Sequence, residues 1–367
     1  MPRPLVAQLD LDALAGNVAR ARDSAAGARV LAVVKANAYG HGLVRVLPAL
    51  GAADGLALIE LDAAVRLREH GEAREILLLE GFFDAVELRT FAEHRLSTVV
   101  HSAEQVAMLE QARLARPLDV WLKVNTGMNR LGVAPSEVRG LAARLGRSSN
   151  VASLGLAMHF ARAEEDDGLA EALQRFEAAC AGLPYSRSLA NSAGVVRYSE
   201  IGGAVVRPGI MLYGATPFPD RTAASLGLAP VMTLRAKLIA VQTLGAGERV
   251  GYGGTFTARA PTRIGVVACG YADGYPRHAP NGTPVLVEGV RCAMAGRASM
   301  DMLTVDLAPV PHAGVGSDVV LWGQGLPVDE VATAAGSVGY ELLCAVAQRV
   351  PFAICAAHDA RAPAVAT

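Results

Sequence analysis

At 367 residues the chain exceeds the usual length of one domain, so two domains, or a barrel with an appendage, is the starting expectation. With 34 basic and 35 acidic residues it is nearly neutral, which removes any electrostatic case for nucleic acid or an anionic membrane as partner. Hydrophobic residues make up 52% and charged residues 19%, the balance of an ordinary globular core.

The N-terminus reaches Asp10 and Asp12 before any long apolar run, which does not fit a signal peptide. The most apolar window, 226–244, is interrupted by Arg235 and Lys237, short of the ~20 residues a membrane span needs. The cytoplasm is the expected compartment. Five scattered cysteines with no C-x-x-C pair point to buried free thiols rather than to a disulfide framework or a metal site.

In chain order, apolar strand-like runs fall at 30–34, 55–59, 76–79, 97–100, 119–124, 153–158, 188–190 and 204–207. Amphipathic helical stretches such as 61–70, 103–115 and 168–181 lie between them. The runs are too continuously hydrophobic for half-exposed strands and suit a parallel sheet covered by helices. Eight such units in the first two-thirds of the chain predict a (β/α)8 barrel, residues 1–226. Past the Pro- and Gly-broken stretch 216–229 the rhythm changes. Strand patterns at 232–244, 263–269, 284–287, 291–295, 303–306 and 318–322, joined by short turns, predict a β-rich second domain over 227–367, with a helix at 327–335.

Active sites of such barrels form at the carboxyl ends of the strands. The first strand runs into Lys35-Ala36-Asn37-Ala38-Tyr39-Gly40-His41-Gly42. A lysine there either snorkels to water or, desolvated, serves as a Schiff-base amine. The fifth strand leads to Lys123 and Arg130, whose guanidinium fork matches a carboxylate or makes a surface ion pair. The sixth leads to His159, a structural residue or one that stacks on a planar cofactor. The seventh and eighth supply Ser192 and Arg207-Pro208-Gly209-Ile210, with hydroxyl and amide groups suited to a phosphate.

These segments, together with Gly251-Tyr252-Gly253-Gly254-Thr255, Gly270-Tyr271-Ala272-Asp273-Gly274 and Gly296-Arg297-Ala298-Ser299-Met300-Asp301, resemble in order the motifs of alanine racemases. The resemblance covers residue 5 to about 360 and implies an isomerase with pyridoxal 5'-phosphate (PLP) as cofactor. It implies that Lys35 carries the cofactor and acts as one base, and that Tyr252 acts as the other. Tyr39, Ser192, Gly209, Ile210 and Tyr340 would bind the phosphate. Arg207 would face the pyridine nitrogen with His159 behind it, and Arg130, Tyr271, Met300 and Asp301 would form the substrate end. Lys123 matches a position carbamylated in parts of the family. The resemblance also implies a homodimer in which Tyr252 crosses to the partner's site. A decarboxylase of the same architecture would not be expected to carry the Tyr252 motif, and a cofactor carrier resembling the barrel alone would lack the β domain. A racemase of broader specificity remains the nearest alternative.

Overall fold

The computed structural model describes residues 3–201 and 203–355 of the chain; the end of the expected second domain, 356–367, lies outside them. Its first strand, β1 (Leu5–Leu9), is followed by eight parallel strands. These are β2 (Arg29–Val33), β3 (Gly55–Leu58), β4 (Glu75–Leu78), β5 (Ser97–Val100), β6 (Leu118–Lys123), β7 (Val151–Ala157), β8 (Ser186–Ser188) and β9 (Val205–Val206). Neighbours pair in sequence order from β2 to β8, and β9 returns beside β2 with Arg29 opposite Val205. The seam between β8 and β9 is closed by Ala204 N–H to the Arg187 carbonyl (2.9 Å) and Arg207 N–H to the Ala190 carbonyl (2.9 Å).

Seven of the runs expected as barrel strands largely coincide with strands, buried at every position in β3 and β5 and at all but the first in β2, but the run expected at 188–190 meets β8 only at Ser188, the strand lying two residues earlier. Two of the intervening helices, Ala85–Glu93 and Ala103–Gln111, start where side-chain oxygens replace missing backbone partners. Asp84 accepts from the Val86 and Glu87 amides, and Ser102 from the Gln105 amide. The helix expected at 103–115 ends at Gln111, four residues early, with Ala112 already extended.

The second sheet contains β10 (Met232–Leu244), β13 (Thr262–Val267), β14 (Pro284–Val287), β15 (Val290–Met294), β16 (Leu303–Asp306) and β17 (Asp318–Trp322). A two-stranded ribbon, β11 (Arg249–Val250) and β12 (Phe256–Thr257), precedes β13, and β18 (Phe352–Ile354) ends the described chain. β10 pairs with β17 through one half and with β13 through the other, so the antiparallel ladder closes on itself.

One element departs from the expected partition. β1, at the start of the presumed barrel half, pairs with β10 (Leu5 opposite Ala236, Leu9 opposite Met232) and with β18. Its inward Leu5, Ala7 and Leu9 alternate with Val6 and Gln8, the signature of a strand covered on one face only. The chain therefore starts in the second sheet, enters the barrel, and comes back.

Leu9 is fully buried where β1 leaves the sheet for the helix Leu11–Asp23. Leu9→Ala should lower the urea midpoint by the equivalent of about 2–5 kcal/mol, the range for emptied leucine sites. A change within error would mean that β1 is peripheral to stability.

Candidate active site

Immediately after β2 the backbone does something that L-residues avoid. Ala36, Asn37, Ala38 and Tyr39 all have positive φ, from 50° to 56°, forming a left-handed turn that starts at Lys35. Each such residue costs roughly 1–2 kcal/mol relative to the right-handed form. The turn persists because its surroundings over-determine it. The Asn37 side chain accepts from Leu43 N–H (2.8 Å), Glu60 accepts from Ala36 N–H (2.9 Å), and buried His41 Nδ1 donates to the Ala38 and Tyr39 carbonyls (3.0 and 2.9 Å). Lys35 is thereby set at the strand end, with Tyr39 folded back beside it.

Both residues line a cavity of about 750 Å³ at the carboxyl ends of the strands. One end carries hydroxyls and amides. Ser192 Oγ accepts from Gly209 N–H at 2.8 Å, and Ile210 follows on the same loop. Tyr39 stacks on Tyr213 (ring centroids 4.7 Å) and lies 6.0 Å from Tyr340, so two phenols and a serine face one loop. Gly209 has no Cβ for a reason of space: one placed there would collide with the Tyr39 hydroxyl. Burial pushes both phenols well above the ordinary tyrosine range, so they stay protonated donors.

The other end is cationic. Lys35, Lys123, Arg130 and Arg207 line the cavity, and Glu80 is the one carboxylate among the lining residues. Arg207 is buried and held by Ser188 Oγ and by the Met158 carbonyl (2.7 Å); desolvation brings its guanidinium down to about 10. Burial and then the Arg207, Lys123, Arg130 and Lys35 charges lower His159 to about 3, leaving it a neutral ring. Burial, followed by the repulsion of Arg207 and Arg130, takes Lys123 down to about 8. A planar anion with donors at one end and a lysine at the other fits this lining: Ser192, Tyr39, Tyr340 and the Gly209 amide suit a phosphate, and Lys35 suits an aldehyde.

Lys35, Tyr39, His159, Ser192, Arg207, Gly209, Ile210, Tyr340 and Arg130 thus meet in one cavity. Tyr252, Tyr271, Met300 and Asp301 do not line it. Tyr252 is 67% exposed in the turn between β11 and β12, and Met300 is 53% exposed on a loop of the second sheet. The sequence analysis did not single out Glu80, His101, Trp121 or Cys344, which also line the cavity. Glu80 and His101 follow β4 and β5, so reading those two strand ends as well would have found them. Cys180, Cys269 and Cys292 are buried free thiols as expected, but Cys344 is exposed to the cavity because the helix Gly339–Cys344 presents it beside Tyr340.

His41 is held neutral too: burial lowers it from 6.5 to about 4, outweighing its bonds to the Ala38 and Tyr39 carbonyls. Both histidines bind a proton more readily in the unfolded chain. Their contribution to stability is therefore complete above pH 6.5 and drains away as the pH falls toward about 4 for His41 and about 3 for His159. The urea midpoint should fall over that window, with a shallower slope in His41→Asn; equal slopes would contradict a buried neutral His41.

Comparison with known proteins places this geometry. Residues 9–217 match the family described as "Alanine racemase, N-terminal domain" and residues 231–354 match "Alanine racemase, C-terminal domain". The chain is 54% identical to an alanine racemase of Janthinobacterium sp. (strain Marseille), over 95% of this chain and 98% of that one. It is 53% identical to "Alanine racemase, catabolic" of Salmonella typhimurium, over 96% and 99% respectively. The crystal structure of the biosynthetic alanine racemase from Pseudomonas aeruginosa superposes with a TM-score of 0.94 at 49% identity, covering 96% of this chain and all of that one. With the same two-sheet plan and nearly full-length matches over both halves, the chain belongs to the alanine racemase family, whose cofactor is PLP.

Proposed function

We propose that the protein interconverts L- and D-alanine with PLP, using Lys35 and Tyr252 as proton-transferring groups on opposite faces of the substrate. The observation that carries this reading is the cavity itself, in which a lysine, an array of phosphate donors and a ring of cations converge within a chain of this family. PLP, when bound, supplies the electron sink that makes an amino acid's α-proton removable. Ser192, Tyr39, Tyr340 and the Gly209–Ile210 amides hold its phosphate, and Lys35 Nζ its aldehyde carbon. Arg207 donates toward the pyridine nitrogen; being cationic, it cannot accept a proton there. Arg130 receives the substrate carboxylate.

Inversion needs one group to take the α-proton from one face and another to deliver a proton to the opposite face. Lys35 Nζ serves the face toward the barrel. For the other face we assign the Tyr252 hydroxyl of a second copy of the chain, together with Tyr271, Met300 and Asp301. In support, all four lie away from the cavity of their own chain, and Tyr252 projects from its ribbon largely uncovered. A homodimer arranged head to tail would bring each barrel mouth to the other copy's β loops. We place the enzyme in the cytoplasm, supplying D-alanine for peptidoglycan or degrading alanine; relatives named both biosynthetic and catabolic support either role. Among the described residues no helix is long and apolar enough to cross a membrane.

Purified protein supplied with PLP should racemise L-alanine in a chiral assay and turn over L-serine more slowly. Equal rates on both would favour a broader racemase, and release of carbon dioxide without D-alanine a decarboxylase. Lys35→Ala and Tyr252→Phe should each abolish racemisation, while a one-to-one mixture of the two, allowed to exchange subunits, should recover roughly a quarter of wild-type activity, since half the dimers then hold one intact site. Mixed dimers shown to form but lacking activity would contradict shared sites. Gly209→Ala should weaken PLP binding by about tenfold or more, measured by absorbance titration, because the Tyr39 hydroxyl must move to make room for the methyl group.

A further inference from the structure

Outside the cavity, the most heavily tied polar group of the second sheet is the Asp273 carboxylate, with no exposed side-chain surface. Its Oδ1 accepts from Arg3 Nη1 at 2.6 Å and from Arg349 Nε at 2.7 Å, and its Oδ2 accepts from the Gly270 amide at 2.8 Å. The same two arginines continue onto a neighbouring loop. Arg349 Nη2 donates to the Asp301 carboxylate at 2.6 Å, and Arg3 donates to the Asp301 carbonyl. The two loops so joined touch backbone to backbone: Tyr271 N–H donates to the Ser299 carbonyl (3.0 Å) and Ala272 N–H to the Met300 carbonyl (2.9 Å). Gly270 allows this approach, since a Cβ there would run into the Ser299 and Met300 carbonyls.

We propose that Arg3 and Arg349, acting through Asp273, are positioning residues for the reaction, fixing the loop that carries Tyr271 against the loop that carries Met300 and Asp301. This rests on the assignment of those loops to the substrate end of the partner's site. The arrangement has the features such a role requires. Tyr271 opens a single 3-10 turn, Met300 and Asp301 lie on a loop between strands, and Tyr271 and Met300 are exposed. A buried carboxylate with two cationic donors and an amide has a single low-energy geometry, because removing any partner leaves buried charge unpaired. Burial raises the Asp273 carboxyl, but Arg3 and Arg349 outweigh it and hold the group below the usual carboxylate range, so the clamp is ionised at neutral pH. Arg3 precedes β1, so the pairing of that strand with β10 delivers a guanidinium to loops 270 and 298 residues later.

The test uses the holoenzyme with Arg3→Ala, Arg349→Lys and Asp273→Asn. A lysine at 349 reaches only one of the two carboxylates that Arg349 bridges. The expected result is a fall in kcat/KM for L-alanine of about 10- to 100-fold, mostly through KM, smallest for Arg349→Lys and largest for Asp273→Asn. PLP affinity by absorbance titration and dimer size should be unchanged, because none of the groups proposed to hold the phosphate bonds to Arg3, Asp273 or Arg349. Hydrogen exchange at the Tyr271 and Ala272 amides should quicken in all three. Wild-type kinetics and wild-type exchange in the arginine variants would overturn the proposal, as would parallel losses of PLP affinity and dimerisation, which indicate general unfolding. If Asp273→Asn fails to fold, the two arginine variants, at exposed positions, still decide. Failure of the wild-type enzyme to racemise alanine, or of the Lys35/Tyr252 mixture to recover activity, counts against the assignment of the site and not against the clamp, which the exchange rates report independently.

Discussion

The site depends on a short stretch of backbone held in the wrong hand. Four consecutive non-glycine residues after Lys35 sit in the left-handed region, and a free chain would leave that state at once. What keeps them there is a set of side-chain bonds: Glu60 from the next strand end, the turn's own Asn37 side chain, and His41, packed 4.7 Å from the Tyr213 ring. Reversing the turn would swing Tyr39 away from Gly209 and Lys35 out of register with Ser192. Strain at that point is thus inseparable from the convergence of an amine and a set of phosphate donors, and the barrel supplies the rigidity that sustains it.

Electrostatics follow from the same convergence. Four cations share a cavity with one carboxylate, an arrangement that an apoprotein tolerates poorly and an anionic ligand relieves. The protein meets the cost partly by keeping neighbours neutral. His159 carries no proton at physiological pH because burial and four positive charges oppose it, whereas Lys123, lowered to about 8, stays largely charged. Arg207 keeps its charge despite burial since even a guanidinium lowered to about 10 remains protonated at neutrality. The result is a pocket that attracts phosphate and carboxylate while offering a pyridine ring a donor and no acid of ordinary strength.

The two sheets divide the labour. Every predicted cofactor contact comes from the parallel barrel or from the helix Gly339–Cys344 that packs back onto it, whereas Tyr252, Tyr271 and Met300 stand on loops of the antiparallel sheet, away from their own cavity. On the proposed assignment, a single chain carries both halves of a site without bringing them together. β1, β18 and the Arg3–Asp273–Arg349 cluster show how tightly the second half is built even though Tyr252 and Met300 are exposed.

The sequence by itself determined the strand count of the barrel, the six longer strands of the second sheet and the cavity's principal residues. Uninterrupted burial leaves uninterrupted apolar runs, and groups at successive strand ends must converge if the strands form a barrel. It did not assign β1, whose five residues alternate in a pattern too short to distinguish from a helix start, nor β18, which is shorter still. Nor could it reveal that Asp273 is buried between two arginines at positions 3 and 349, since charge pairing across such separations is encoded nowhere in local pattern. The left-handed turn was equally hidden, because Ala, Asn and Tyr ordinarily avoid it, and it is held by the local Asn37 and His41 bonds together with the distant Glu60 carboxylate. Local residue chemistry named the participants; packing over long sequence distances decided their conformation, because Glu60 at the turn, Tyr213 against Tyr39, and Arg3 and Arg349 on Asp273 are partners that only the folded chain brings near.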